Sequence, residues 1–297
     1  MSAEAPTTSL VDGAPGRVDG KLGALRGALG VLDRCVVAFS GGADSALVAR
    51  VATDLLGARR VLCVTAVSPS LAPEELADCR ALAGEWGLRW REVPTGELDV
   101  AAYAANDGGR CYHCKASLLD ALAPLAAAES ATVLLGVNLD DLGDHRPGQR
   151  AAAERGARFP LVDAGLTKAD VRAVARRLGM RTWDKPAAAC LASRIPYGTP
   201  VTLGTLRSVA AAESALRALG FRQLRVRHYG DLARVELDGA DLMRAVERRQ
   251  EIVGAVQRAG YRYVTLDLEG FRSGNLNQAL VAAGAPGVGG HAVQGAT

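Results

Sequence analysis

Short apolar runs alternate with longer stretches of helical spacing over the first two thirds of the chain. Residues 35–40 (CVVAFS) form one such run, closed by Gly41 and Gly42, and a helical pattern follows over 44–56. Residues 61–67 predict a second strand and 73–86 a helix. Residues 89–93 predict a third strand, 111–128 a helix and 132–137 (TVLLGV) a fourth strand. Strands that alternate with helices, and are apolar throughout rather than at every second position, predict a parallel sheet covered on both faces. Thr167-Lys168-Ala169-Asp170 has the spacing of a capping box, opening a helix that runs to Leu178 and stops at Gly179.

The pattern changes after Asp184. Residues 185–202 carry Pro186, Pro196, Gly198 and Pro200 and have no clear period. Loops of that length are usually functional or linkers. A helix (203–219), a hairpin (223–228 with 233–237), a helix (240–259) and a strand (261–268) follow, which is a small α+β unit. The expected organisation is an α/β domain with a parallel sheet over 20–185 and a smaller α+β domain over 186–277. Disordered tails are expected at 1–19 and 278–297, both rich in small residues. No internal repeat is visible.

Composition narrows the classes. With 297 residues, 49% of them hydrophobic, the chain can bury one large core or two modest ones. A net charge of only +3 argues against a nucleic-acid backbone as the main partner. The basic residues are nearly all arginine, lysine occurring only at Lys21, Lys115, Lys168 and Lys185; a G+C-rich genome accounts for that bias. No run of about 18 apolar residues and no secretory pattern at the N-terminus is present, so the expectation is a cytoplasmic protein without a membrane span. Its six cysteines are then reduced, and read as metal ligands, nucleophiles or core residues.

The strongest local signal is Ser40-Gly41-Gly42-Ala43-Asp44-Ser45, between a strand and a helix. Two glycines allow a sharp turn and close backbone approach to a ligand. The helix N-terminus suits phosphate. Ser40 and Ser45 add hydroxyls, while Asp44 belongs at an anion site only if it holds Mg2+ or tunes the turn. Without Gly-Lys-Ser/Thr this is not a Walker loop. It resembles the PP-loop of the ATP pyrophosphatases, which implies a grip on the pyrophosphate half of ATP and transfer of AMP. Cys111 and Cys114 share one face of a helix, near its N-terminus, with His113 off that face. Cys190 lies in the irregular segment. Three thiols cannot complete a four-thiolate site, but could hold three irons of a [4Fe–4S] cluster and leave the fourth open; alternatively Cys111 and Cys114 are small core residues. Cys35, Cys63 and Cys79 sit in apolar contexts and read as core. Asp141 and Asp144 follow the fourth strand, where open sheets bind ligands, and could hold Mg2+, orient substrate or form a solvated turn. Arg194 is a candidate for charge developing in an adenylate. Arg225 and Arg227 share a strand face and form either a phosphate clamp or an exposed pair. Glu213 could join a metal or substrate site, and Arg272-Ser273-Gly274 could take phosphate.

These segments, together with Ser193-Arg194-Ile195-Pro196-Tyr197-Gly198 and residues 263–274, resemble the LarE family of ATP-dependent sulfur transferases over roughly 20–277. That resemblance implies biosynthesis of the nickel-pincer nucleotide cofactor of lactate racemase. One carboxylate of pyridinium-3,5-biscarboxylate mononucleotide is adenylated and converted to a thiocarboxylate, and two rounds give the bisthiocarboxylate. It also implies ATP, Mg2+, a small-molecule nucleotide substrate and a homo-oligomer. Some members sacrifice the sulfur of one cysteine, which lies where this chain has Ala189. Others resemble this chain in joining Cys-x-x-Cys to a later cysteine, and deliver sulfide from a [4Fe–4S] cluster. The rival readings are a PP-loop tRNA thiolase, an amide-forming ligase that would not need Cys190, and a nucleotide sensor that releases no pyrophosphate.

Overall fold

The computed structural model describes residues 15–142 and 147–272. Helices α1 (Pro15–Gly30), α2 (Ala43–Leu56), α3 (Pro73–Glu85), α4 (Ala101–Ala104), α5 (Arg110–Glu129), α6 (Pro147–Glu154), α7 (Pro160–Asp163) and α8 (Lys168–Arg177) surround strands β1 (Cys35–Ala38), β2 (Val61–Val67), β3 (Trp90–Pro94) and β4 (Thr132–Leu134). The four strands form a parallel sheet in the order β3-β2-β1-β4. Side chains alternate across it. Cys35, Val37, Val61 and Cys63 pack with α1, α2, α3 and α8, while Val36, Leu62 and Val64 meet Leu122 and Ala126 of α5. Both faces are therefore covered, as the continuous apolar runs require.

Two expectations are corrected here. Residues 15–19 of the tail expected over 1–19 are helical instead, because α1 begins at Pro15 and buries Leu22, Leu25 and Leu29 against the first core; residues 1–14, like the expected tail 278–297, lie outside the described residues. The fourth strand ends at Leu134 rather than at 137. A Cβ on Gly136 would stand 2.6 Å from Ser45 N and 2.8 Å from the Asp44 carbonyl carbon. The chain leaves the sheet there to lie flush against the first turn of α2, which only glycine permits.

The second part is α9 (Leu203–Ala218), the antiparallel hairpin β5 (Leu224–Tyr229) and β6 (Leu232–Leu237), α10 (Leu242–Glu247), α11 (Arg249–Arg258) and β7 (Tyr263–Leu266), with β7 parallel to β6. It has its own core around Leu216, Phe221, Val226, Val235 and Val256. The single helix expected over 240–259 is broken at Arg248 (ψ 20), whose guanidinium donates to Leu219 O at 2.6 Å. Segment 185–202 contains one 3-10 turn, Leu191–Arg194. Its Leu191, Ala192, Ile195 and Val201 form a further apolar cluster with Tyr103, Leu206 and Val209. Among the described residues no helix is long and apolar enough to cross a membrane.

Candidate active site

Parallel strands place all their carboxyl ends on one edge, and ligands bind there where the strand order reverses, here between β1 and β4. The loop after β1 turns at Gly41 (φ +68) into the first turn of α2. Its shape is held from inside: Ser40 N–H donates to Ser45 Oγ at 3.1 Å, and the Ser40 and Ser45 hydroxyls lie 2.9 Å apart. The N–H groups of a helix's first turn have no intrahelical acceptors, so they face a ligand as donors. Asp44 accepts from Asn138 Nδ2 at 3.0 Å and pairs with Lys168 Nζ at 2.5 Å. Asn138 follows β4 and caps the turn Leu139–Asp141: its N–H donates to Asp141 Oδ2 at 3.1 Å, and Asp140 N–H donates to its side chain. Asp141 thus shapes the turn. Asp144 lies outside the described residues, as do Ser273 and Gly274.

The irregular segment is pinned to the same edge. Leu191 N–H donates to the carbonyl of Ser70, just beyond the end of β2, at 2.8 Å. Arg110, buried at the start of α5, donates to Ala192 O at 3.0 Å and to Asn106 Oδ1. Since Arg110 precedes Cys111, this contact brings the Cys190 segment to the Cys111/Cys114 helix. The Cys114 thiol is pushed up to about 12, by burial first and then by its neighbours Cys190 and Glu97, with a smaller contribution from Cys111. Cys111 and Cys190 are exposed and Cys114 is half-buried. Cys35, Cys63 and Cys79 are buried, as their apolar contexts indicate.

The arginines are deployed differently from the expectation. Arg194 is 6% exposed and faces Glu213 as a bidentate pair (2.8 and 3.1 Å). Its other arm donates to the carbonyls of Ala189 (2.7 Å) and Cys190 (3.1 Å). Arg227 is equally committed, to Glu236 (2.9 and 3.0 Å) and to Ser193 O at 2.8 Å. Arg110, Arg194 and Arg227 therefore grip the carbonyls of residues 189–193 and fix the backbone that carries Cys190. Glu213, fully buried, accepts from Arg194, from Arg217 at 2.9 Å and from Val226 N–H at 3.1 Å. It serves here as the counter-charge of Arg194 and Arg217, both of its oxygens accepting from those cations. Arg225 and Arg227 do share a face of β5, but both are buried, so the exposed-pair alternative falls. Arg225 stacks on Phe271 (4.6 Å to the ring centre), and among the described residues no carboxylate lies within ion-pair distance of it. Burial, then Arg194 and Arg227, push its pKa down to about 10. A buried cation in that state favours an anion as neighbour. Among the described residues no group of three or more His, Cys, Asp and Glu side chains converges on a single metal-ion position.

Sequence reasoning missed Lys168, Lys185, Asn138 and Glu97. Glu97 is 2% exposed beside Cys114, with no hydrogen bond to its Oε2 among the described residues. Lys185 pairs with Glu75 (2.8 Å) and Asp78 (2.6 Å). A signal for the lysines was present: in a chain that writes nearly every cation as arginine, two of four lysines flank the loop.

Comparison with known proteins agrees with this geometry. A family model described as NAD synthase matches residues 29–111, which span the loop and the first three strands. An uncharacterised protein of Synechocystis sp. is 48% identical over 266 residues, covering 89% of this chain and 99% of its own. The pyridinium-3,5-bisthiocarboxylic acid mononucleotide synthase of Lactiplantibacillus plantarum is 40% identical over 264 residues, covering 89% of this chain and 96% of its own. An uncharacterised protein of Methanocaldococcus jannaschii is 26% identical over 241 residues.

Proposed function

Since the chain belongs to the LarE family of sulfur transferases, we propose that it converts the carboxylates of pyridinium-3,5-biscarboxylate mononucleotide to thiocarboxylates through an acyl adenylate. A carboxylate oxygen attacks the α-phosphorus of ATP and pyrophosphate departs. A sulfur nucleophile then adds to the activated carbonyl carbon and expels AMP, a far better leaving group than oxide. Ser40, Gly41, Gly42 and Ser45 would cradle the departing pyrophosphate with N–H and hydroxyl donors. Asp44 and Asp141 would carry Mg2+, Asp44 exchanging Lys168 for the ion. Arg225 would meet the substrate's phosphate. Arg194 and Arg227 act through the backbone, by presenting Cys190.

One observation carries the reading: an exposed cysteine on a segment pinned to the sheet edge that bears the phosphate loop, next to two further thiols. The donor set suits iron, because all three are soft thiols, one short of the four of a closed cluster. They do not converge on a single ion, but a cubane spreads its ligands over separate irons. Cys111, Cys114 and Cys190 would hold such a [4Fe–4S] cluster, which when bound supplies the sulfide. The exposure of Cys190 beside a Cys114 held as a thiol favours a second reading, in which Cys190 gives up its own sulfur.

Anaerobic purification of the wild type and of Cys111→Ala, Cys114→Ala and Cys190→Ala decides between them. About four irons per chain, with labile sulfide and brown absorption lost in each variant, is the expected result. A protein that stays colourless after reconstitution overturns the cluster, and loss of H2S from Cys190 after one turnover, read by mass spectrometry, establishes the sacrificial route. Failure to release pyrophosphate with the biscarboxylate nucleotide would refute both.

A further inference from the structure

Lys185 stands beside the phosphate loop without being part of it. A Cβ on Gly41 would lie 3.0 Å from Cys79 Sγ, 3.6 Å from Leu82 Cδ1 and 3.7 Å from Lys185 Nζ. The turn therefore rests on α3, and the ammonium reaches it from that side. The lysine is 17% exposed and is held by Glu75 and Asp78. Burial opposes its charge, but its hydrogen bonds to Asp78 and Glu75 outweigh burial and raise its pKa, so it stays a cation.

Three features suit it to exchange partners. First, the loop's own donors are neutral and Asp44 adds a negative charge, so a polyphosphate there requires cations from outside the loop. Second, Asp78 has another cation, Arg181 at 2.7 Å. Departure of Lys185 would therefore leave Asp78 paired, and the cost of breaking such a pair would fall on Glu75 alone, whose side chain is 27% exposed. Third, an ammonium is a compact point charge whose three donors rotate. A guanidinium locks onto a carboxylate as a planar fork, as Arg194 does on Glu213. A chain with only four lysines among 35 basic residues keeps one here.

We infer that Lys185 is a phosphate ligand of this loop: when a nucleotide polyphosphate binds, the ammonium passes from Asp78 and Glu75 to the phosphate oxygens beside Gly41. The inference rests on the reading of residues 40–45 as a nucleotide site.

Titration calorimetry on the full chain with Mg2+ and with ATP, pyrophosphate or AMP tests it. Lys185→Ala is expected to weaken ATP and pyrophosphate by about 10- to 100-fold and to leave AMP unchanged. Lys185→Arg should recover part of the loss. Asp78→Asn, which removes the competing carboxylate, should bind ATP at least as tightly as wild type. If Lys185 only ties its segment to α3, Lys185→Ala and Asp78→Asn will lower the melting temperature alike and weaken ATP and AMP equally, and the inference is overturned. A wild type that binds neither ATP nor pyrophosphate instead removes the nucleotide reading itself, and the inference with it.

Discussion

At the residue scale the thiols differ by environment. Cys114, pushed up to about 12, is protonated at pH 8, whereas Cys111 and Cys190 are exposed. Iodoacetamide at pH 8 is therefore expected to label Cys111 and Cys190 before Cys114, since the thiolate is the reacting form. Glu97→Gln removes a neighbouring negative charge, lowers the Cys114 pKa and speeds its labelling at fixed pH; peptide mass spectrometry reads both, and equal rates at all three sites would refute the picture. Glu213 offers a second test. Glu213→Gln should destabilise the fold by about 3–5 kcal/mol in urea unfolding, because it strands buried Arg194. A chelator should leave wild-type stability unchanged, whereas a metal-binding Glu213 would make stability chelator-sensitive. The loop 40–45 was legible because its chemistry is local: two glycines and two serines close their own turn. Strand alternation correctly put Arg225 and Arg227 on one face. It could not show that Glu236 arrives across the hairpin to claim Arg227, since a partner from another strand leaves no mark on the period.

At the element scale the α8 capping box was readable because Thr167 and Asp170 meet within one turn: Thr167 N–H donates to Asp170 Oδ2 at 3.1 Å, and Asp170 N–H returns a bond at 3.2 Å. The same carboxylate also takes Arg17 of α1 at 2.6 Å, which no local pattern announces. Burial alone would raise the Asp170 pKa; Arg17 and Thr167 outweigh it and bring it to about 2, below its ordinary 3.8. A carboxylate whose folded pKa is depressed contributes stability that is complete above about pH 4 and is lost as pH falls towards 2. Asp170→Asn is accordingly expected to cost roughly 1–2 kcal/mol at pH 7. Urea unfolding from pH 7 to pH 2 should show the deficit closing; a constant deficit would mean that charge is not the cause. The length of β4 was misread for a related reason. Gly136 fits an apolar run, and only the approach of Ser45 N reveals why the strand must stop.

At the scale of the whole molecule, the change of pattern near Asp184 was visible as a loss of period, but the segment beyond it is no slack connection. It lacks a period because side chains rather than a helix or sheet satisfy its carbonyls. Asn106, fully buried with φ 58, donates from Nδ2 to Pro196 O and Thr199 O at 2.8 Å and to Ile195 O at 3.3 Å. Its own carbonyl accepts from Gly198 N–H at 3.0 Å, and Val201 N–H donates to Ala104 O at 2.8 Å. The clamp holds the Cys190 segment against α4 and α5 without touching the phosphate loop. Asn106→Ala removes the bonds to three carbonyls and places alanine in a left-handed conformation it resists. The expected cost is about 2–4 kcal/mol, confined to this segment, because the two sheets keep separate cores. Hydrogen exchange should quicken over 195–201 and stay slow in β1 and β2. If the two halves of the reaction are divided as proposed, pyrophosphate release should survive in this variant while thiocarboxylate formation falls by at least about tenfold, the positioning of the thiol being lost while activation remains. Equal loss of both steps would show that the clamp supports the nucleotide site as well, and that the sulfur-bearing segment and the phosphate loop are one mechanical unit rather than two joined at an edge.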